Sequence, residues 1–293
     1  MQQQGMTSAN PTSGFNNQSF TSYGSDPVVS RPGAQPIANQ ANQHAGMPQS
    51  DLQTSMRQEF DVFKAAKAGL LIACQDIVER MGTDELTQTD SDGATPIHWA
   101  ALGGHVHVLR FFAECRVSLD IRATNSLGSQ PIHWACCNGH IGAVDILLNN
   151  EVNIDTTDNK GCSPLVIAAQ FGRTSLAGYL MGRGARTQLV DKEGDNSLHW
   201  AAFKGHSELV RLLVHSGFNP KQKDNYGQTP LHLASLSGNL QTVKDLVEQD
   251  NVELDTEDQC WCGVVHLAKK WTARIFYQNA TAKKYRTFFR LFD

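Results

Sequence analysis

The chain has 293 residues and a formal charge of −4, with 25 basic against 29 acidic residues. That near balance excludes a whole-chain electrostatic device for nucleic acid. No window approaches the roughly 18 apolar residues of a spanning helix, and the start, MQQQGMTSANPTSG, has neither the basic residues nor the apolar core of a signal peptide, so the expectation is a soluble cytoplasmic chain.

Residues 1–58 are rich in Gln, Asn, Ser, Gly, Pro and Thr, with only scattered apolar residues such as Phe15, Phe20 and Tyr23. Such a stretch cannot bury enough surface to offset chain entropy. A disordered tail is expected there. From Phe60, FDVFKAAKAG followed by CQDIVERMG reads as a first helix pair with a polar outer face.

Five in-register copies of one unit follow. They read GATPIHWAALGG from Gly93, GSQPIHWACCNG from Gly128, GCSPLVIAAQFG from Gly161, GDNSLHWAAFKG from Gly194 and GQTPLHLASLSG from Gly227. The leading glycines stand 35, 33, 33 and 33 residues apart. A 33-residue period carrying T-P-L-H-x-A is the ankyrin signature. Thr95, Ser163 and Thr229 stand where a helix N-cap is wanted. Pro96, Pro131, Pro164 and Pro230 follow at the first helical position, where a missing N–H does no harm. Gly104, Gly139, Gly172, Gly205 and Gly238 end the first helix of each unit. Five residues beyond them come Leu109, Val144, Ala177, Val210 and Val243, and eight beyond come Phe112, Leu147, Leu180, Leu213 and Leu246. That spacing draws one apolar stripe along a second helix, which only a stacked neighbour can bury. The polar pairs Ser91-Asp92, Lys192-Glu193 and Asn225-Tyr226 carry turn chemistry and form finger tips. The fold expected for residues 59–270 is an all-α ankyrin-repeat solenoid of six to seven helix-turn-helix repeats with short hairpin-like fingers. The seventh repeat, VVHLAKK from Val264, is degraded.

His98, His133, His199 and His232 occupy one repeat slot. Repetition at a fixed slot signals packing, so the expectation is structural histidines rather than metal ligands. His105, His140 and His206 open second helices and fall under the same argument. Seven cysteines, an odd number without a disulfide rhythm, read as small core residues. Cys260-Trp-Cys262 has the wrong spacing for a zinc site. No nucleophile elbow, P-loop or HExxH occurs, so neither a cofactor nor a catalytic residue is expected. Trp99, Trp134 and Trp200 share another slot. They either fill a wide space between helices or line the inner face as anchors for an extended peptide. Residues 271–293 carry a basic excess and a stripe of Tyr285, Phe288, Phe289 and Phe292. Two readings stand for that segment: a divergent cap, or a helix resting on an anionic membrane surface.

The WACC and WAA cores, AAQFGRTSLAGYL from Ala168 and the opening DVFKAAKAG resemble the N-terminal ankyrin domain of the ankyrin-type DHHC palmitoyltransferases. The resemblance covers roughly residues 59–270. It implies a domain facing the cytosol, at Golgi or other endomembranes, that recruits client proteins through extended, proline-containing segments. The acyl-transferring half, with its Asp-His-His-Cys sequence, does not occur here. By the resemblance Trp134 matches the family's peptide-contacting tryptophan, while Gly103 stands where the family has a partnering asparagine.

Overall fold

The computed structural model describes residues 61–248. The tail 1–58, the seventh repeat and the segment 271–293 lie outside the described residues. The described residues fall into two compact units, 61–159 and 160–248, each holding three helix pairs.

In the first unit the pairs are α1 (Val62–Ala68) with α2 (Leu71–Met81), α3 (Pro96–Leu102) with α4 (Val106–Glu114), and α5 (Pro131–Asn138) with α6 (Ile141–Asn149). First helices pack side by side, α1 on α3 and α3 on α5. The second helices form a matching layer, α2 on α4 and α4 on α6. Between the layers Leu109, Phe112, Val144 and Leu147 are wholly buried. The second unit repeats the plan with α7 (Pro164–Gln170) and α8 (Thr174–Gly182), α9 (Ser197–Lys204) and α10 (Ser207–His215), and α11 (Pro230–Ser237) and α12 (Leu240–Val247). Its stripe of Ala177, Leu180, Leu213 and Leu246 is equally covered. Ala100, Ala101, Ala201 and Ala202, all at zero exposure, keep the first helices thin enough to approach closely.

The first helices α3, α5, α7, α9 and α11 start at extended N-caps: Thr95, Gln130, Ser163, Asn196 and Thr229. The sequence pattern pointed to three of these; Gln130 and Asn196 fill the same slot. Ser163 Oγ accepts from Val166 N at 3.3 Å. Asn196 Oδ1 accepts from Leu198 N at 2.9 Å and His199 N at 3.0 Å, satisfying donors that a helix start leaves over. Gly139 closes α5 with φ 79°, its N–H reaching back to Ala135 and Cys136. A side chain is barred at Gly172 twice over. Its φ is 64°, and a Cβ would come 2.6 Å from His206 Nδ1.

The fingers are turns, and among the described residues none pairs as a strand. In three of the fingers an aspartate folds the tip around its own carboxylate. Asp90 Oδ1 accepts from Asp92 N and Ala94 N, both at 2.9 Å, and Asp191 and Asp224 repeat the arrangement. With backbone amides answered within four residues, the chain turns without needing a ladder partner. Neighbouring fingers still touch, through Thr124 N to Gly93 O at 2.8 Å and Asn225 N to Glu193 O at 3.0 Å. No helix among the described residues is long and apolar enough to cross a membrane.

Candidate functional site

The histidine slot is built from the caps. Burial holds His98 down at about 4 and His199 at about 4, so both rings are neutral at ordinary pH. A neutral imidazole has one donor and one acceptor, and both are used. His98 Nδ1 accepts from Thr95 N at 3.1 Å, and Nε2 donates to Ser129 O of the next repeat at 3.0 Å. His199 does the same with Asn196 N at 3.3 Å and Gln222 O at 3.0 Å. His133 Nδ1 accepts from Gln130 N at 3.1 Å, and His232 Nδ1 from Thr229 N at 3.2 Å. The histidines that open second helices tie back one repeat: His105 Nε2 donates to Lys67 O at 3.0 Å and His206 Nε2 to Gln170 O at 3.2 Å.

Thiol chemistry is suppressed the same way. Burial pushes Cys74 up to about 11 and drives Cys136 higher still, which keeps both as thiols rather than thiolates. Among the described residues no cluster of three His, Cys, Asp or Glu is arranged to hold a metal.

The tryptophans divide by exposure. Trp134 is 3% exposed and Trp200 is 8%, both buried, while Trp99 is half-buried. In the first unit Trp99 and Trp134 stand edge to face with ring centroids 5.2 Å apart, and His98 meets Trp134 at the same distance. Lys67 Nζ, from α1, lies 4.3 Å from the Trp99 ring centroid. This contact sets a cation over an indole face at the first-helix layer. In the second unit Trp200 meets Phe203 edge-on at 6.1 Å.

Their N–H groups divide differently. Trp99 Nε1 donates to Asp90 Oδ2 at 2.7 Å, and Trp200 Nε1 donates to Asp191 Oδ2 at 2.7 Å. Trp134 Nε1 is buried and has no acceptor. The cause lies nine residues upstream, where the finger aspartate of the other repeats is Asn125. Asn125 Oδ1 still folds its turn, accepting from Leu127 N at 3.1 Å and Gly128 N at 3.2 Å. Its other arm is an NH2, which donates and cannot accept. The sequence reading missed this aspartate slot, although Asp90, Asn125, Asp158, Asp191 and Asp224 recur in step with the glycines.

Gly103 ends α3 at φ −78° and is exposed. A Cβ there would collide with the His105 imidazole, so no larger residue fits while His105 holds Lys67 O. An asparagine does occupy that slot one repeat later, where Asn138 Nδ2 donates to Leu102 O at 2.8 Å. Remote from the indoles, a cleft of about 510 Å³ lies at the C-terminal ends of α4 and α6, lined by Arg116, Asp120, Asn149 and Glu151 among others.

A stack of helix pairs joined by such fingers is shared with known proteins. The chain matches the model for ankyrin repeats (three copies) over residues 62–159, 116–191 and 165–258. No curated protein matches the chain significantly. Among solved structures it is similar to the human ASB11 ankyrin repeat domain, with a TM-score of 0.64 and 19% identity over 76% of this chain and 100% of that one. At that identity the likeness speaks for the fold alone. Together, the overlapping matches that span most of the chain and the repeated caps, histidines and fingers place it in the ankyrin-repeat family.

Proposed function

We propose that this chain recruits partner proteins through the first-helix layer of its first unit, around Trp99 and Trp134. Ankyrin repeats are protein-binding scaffolds, and this layer carries the feature that supports a specific site. That feature is the Trp99–Trp134 pair, one indole half-buried under Lys67 and the other beneath it with an unanswered N–H. Tryptophan supplies a large apolar face with one polar edge, the combination that dominates binding hot spots. An extended, proline-containing segment exposes ring faces and carbonyls that such a pair can cover at little ordering cost.

The resemblance of residues 59–270 to the ankyrin domains of DHHC palmitoyltransferases makes the partners clients for S-acylation. The domain then works at the cytosolic face of Golgi or other endomembranes, joined to a membrane half that carries the chemistry. The basic aromatic segment 271–293 rests on an anionic membrane surface in that arrangement. A free-standing adaptor unrelated to lipidation is the alternative.

The test compares partner capture by the wild-type chain and by Trp99→Ala and Leu213→Ala variants. Trp99 is half-buried, so its loss should weaken capture by about 2 kcal/mol or more with modest change in melting temperature. Leu213→Ala, a core change in the other unit, should lower melting temperature and leave the affinity of the folded protein unaltered. Capture indifferent to Trp99→Ala removes the site from this layer. Clients that take no acyl group from a full-length relative would favour the adaptor.

A further inference from the structure

The strained positions of the first unit coincide with its cleft. Arg116 and Glu151 stand 35 residues apart, the step from Gly93 to Gly128, so they fill one slot of successive repeats. Both hold positive φ, at 57° and 65°, a region that L side chains avoid. The next two repeats have glycine there, Gly184 and Gly217. Arg116 and Glu151 are exposed, and nothing lies within 4 Å of a Cβ at either glycine, so packing asks for no side chain in this slot. What Arg116 and Glu151 share is the cleft of about 510 Å³ that both of them line. Their charges are opposite, and among the described residues neither side chain makes an ion pair or a hydrogen bond.

The rest of the lining sorts by chemistry. Leu119 and Val152, at 4% and 5% exposure, give an apolar floor, to which Ala113 and Val117 add. Asn150 Nδ2 donates to Ile146 O at 2.8 Å, which leaves its Oδ1 to accept. Asp120 takes the Ser118 hydroxyl on Oδ1 and keeps Oδ2. With the Glu151 carboxylate these supply one acceptor for each of the three N–H bonds of an ammonium group. The C-terminal ends of α4 and α6 border the cleft and add their negative partial charge. Arg116 is the one cation of the lining, with a planar fork that fits a carboxylate.

We propose that this cleft binds a free α-amino acid with an apolar side chain. Arg116 takes the carboxylate, Glu151 with Asp120 and Asn150 takes the ammonium group, and the ligand's side chain lies on Leu119 and Val152. The volume falls within the roughly 300–1,000 Å³ of small-molecule sites. A ligand with a single charge would leave Arg116 or Glu151 unanswered. Strain retained at both charged positions, where neighbouring repeats relax it with glycine, is the mark of side chains kept for a ligand rather than for the fold. The site is separate from the recruiting layer and does not depend on it.

The experiment titrates the full chain, labelled with 15N, with L-leucine and L-phenylalanine and follows the backbone amide resonances. Either amino acid should shift the amides of residues 116–120 and 149–152 saturably. Leucinamide keeps the ammonium group and lacks the carboxylate; isocaproate keeps the carboxylate and lacks the ammonium group. Each should bind at least tenfold more weakly than L-leucine. Arg116→Gly should abolish the preference for L-leucine over leucinamide, and Glu151→Gly the preference over isocaproate. Both variants place the second unit's residue in the slot, so their melting temperatures should equal or exceed that of the wild type, and lost binding cannot be laid to unfolding. Absence of a saturable shift with both amino acids overturns the proposal. So does leucinamide or isocaproate binding as tightly as L-leucine, or L-leucine binding unchanged by both glycine variants.

Discussion

The two units share one plan and place their imperfections differently. In the second unit the pairs α7–α8 and α9–α10 are left through glycines, Gly184 at φ 90° and Gly217 at φ 91°. The corresponding residues of the first unit are Arg116 at φ 57° and Glu151 at φ 65°, side chains held in the left-handed region. The first unit also contains the indole N–H without an acceptor. The second satisfies its indole with Asp191 but buries a carboxyl, Asp195, at 1% exposure in a slot where other repeats have Ala94, Ser129, Cys162 or Gln228. Removal from water, then the nearby Asp191, Asp224 and Glu193, push Asp195 up to about 8. One unit therefore carries backbone strain and an open donor near a half-buried aromatic. The other carries a proton-dependent carboxyl inside its fingers. Identical topology does not distribute cost identically, and the open donor lies with the half-buried indole.

Core truncation should give the largest effects and treat the units alike. Leu147→Ala and Leu213→Ala each remove a wholly buried side chain between helix layers. Each should destabilise its unit by about 2–5 kcal/mol in denaturant unfolding. A unit that tolerates the change would show that its layers repack, and the shared plan would fail as an energetic description.

Acidity should separate the units next. The folded state keeps the Asp195 proton up to about 8, whereas an unfolded chain gives it up near the ordinary value of 3.8. This contribution to stability is complete below about 3.8 and lost as pH rises through about 8. His98 runs the other way. Held at about 4 by burial, it contributes stability above the ordinary 6.5 that is lost as pH falls toward about 4. Each proton changes stability by at most about 1.4 kcal/mol per pH unit. Hydrogen exchange in α9 should accelerate between pH 6.5 and 8, and Asp195→Asn should remove that dependence. Exchange in α3 should accelerate below pH 6. A flat profile in α9 would mean that the carboxyl is solvated in solution.

The indoles should differ by a smaller margin. Trp200→Phe breaks the 2.7 Å bond to Asp191 and leaves a carboxylate oxygen to be rehydrated, at about 1–3 kcal/mol. Trp134→Phe removes a donor that has no acceptor, and should be neutral or slightly stabilising in thermal unfolding. Equal losses would show that the Trp134 N–H is bonded after all. The smallest contrast concerns the exits of the helix pairs. Glu151→Gly should gain a few tenths to about 1 kcal/mol by relieving a left-handed side chain, and Gly217→Ala should lose about 1 kcal/mol. Nothing lies within 4 Å of a Cβ at Gly217, so that loss reports backbone strain alone.

Much of this was legible along the chain. The 33-residue period, the capping residues, the first-helix prolines and the stripe from Leu109 to Leu246 act within a few residues of themselves. Local propensity and spacing therefore announce them without any knowledge of neighbours. The slots of Trp99, Trp134 and Trp200 were equally plain, and so was Gly103 as a departure. What the slots mean was decided by tertiary structure. Whether an indole N–H is satisfied depends on which atom a finger residue nine positions earlier presents, and on which of its oxygens the turn has already consumed. Asn125 differs from Asp90 by one atom, a change invisible to periodicity but decisive for hydrogen bonding. Gly103 is required by an imidazole that reaches back to the previous repeat, and Asp195 keeps its proton because packing removes it from water beside three finger carboxylates. Burial and polar satisfaction are properties of atoms brought together from different repeats, and only the packed fold brings them together.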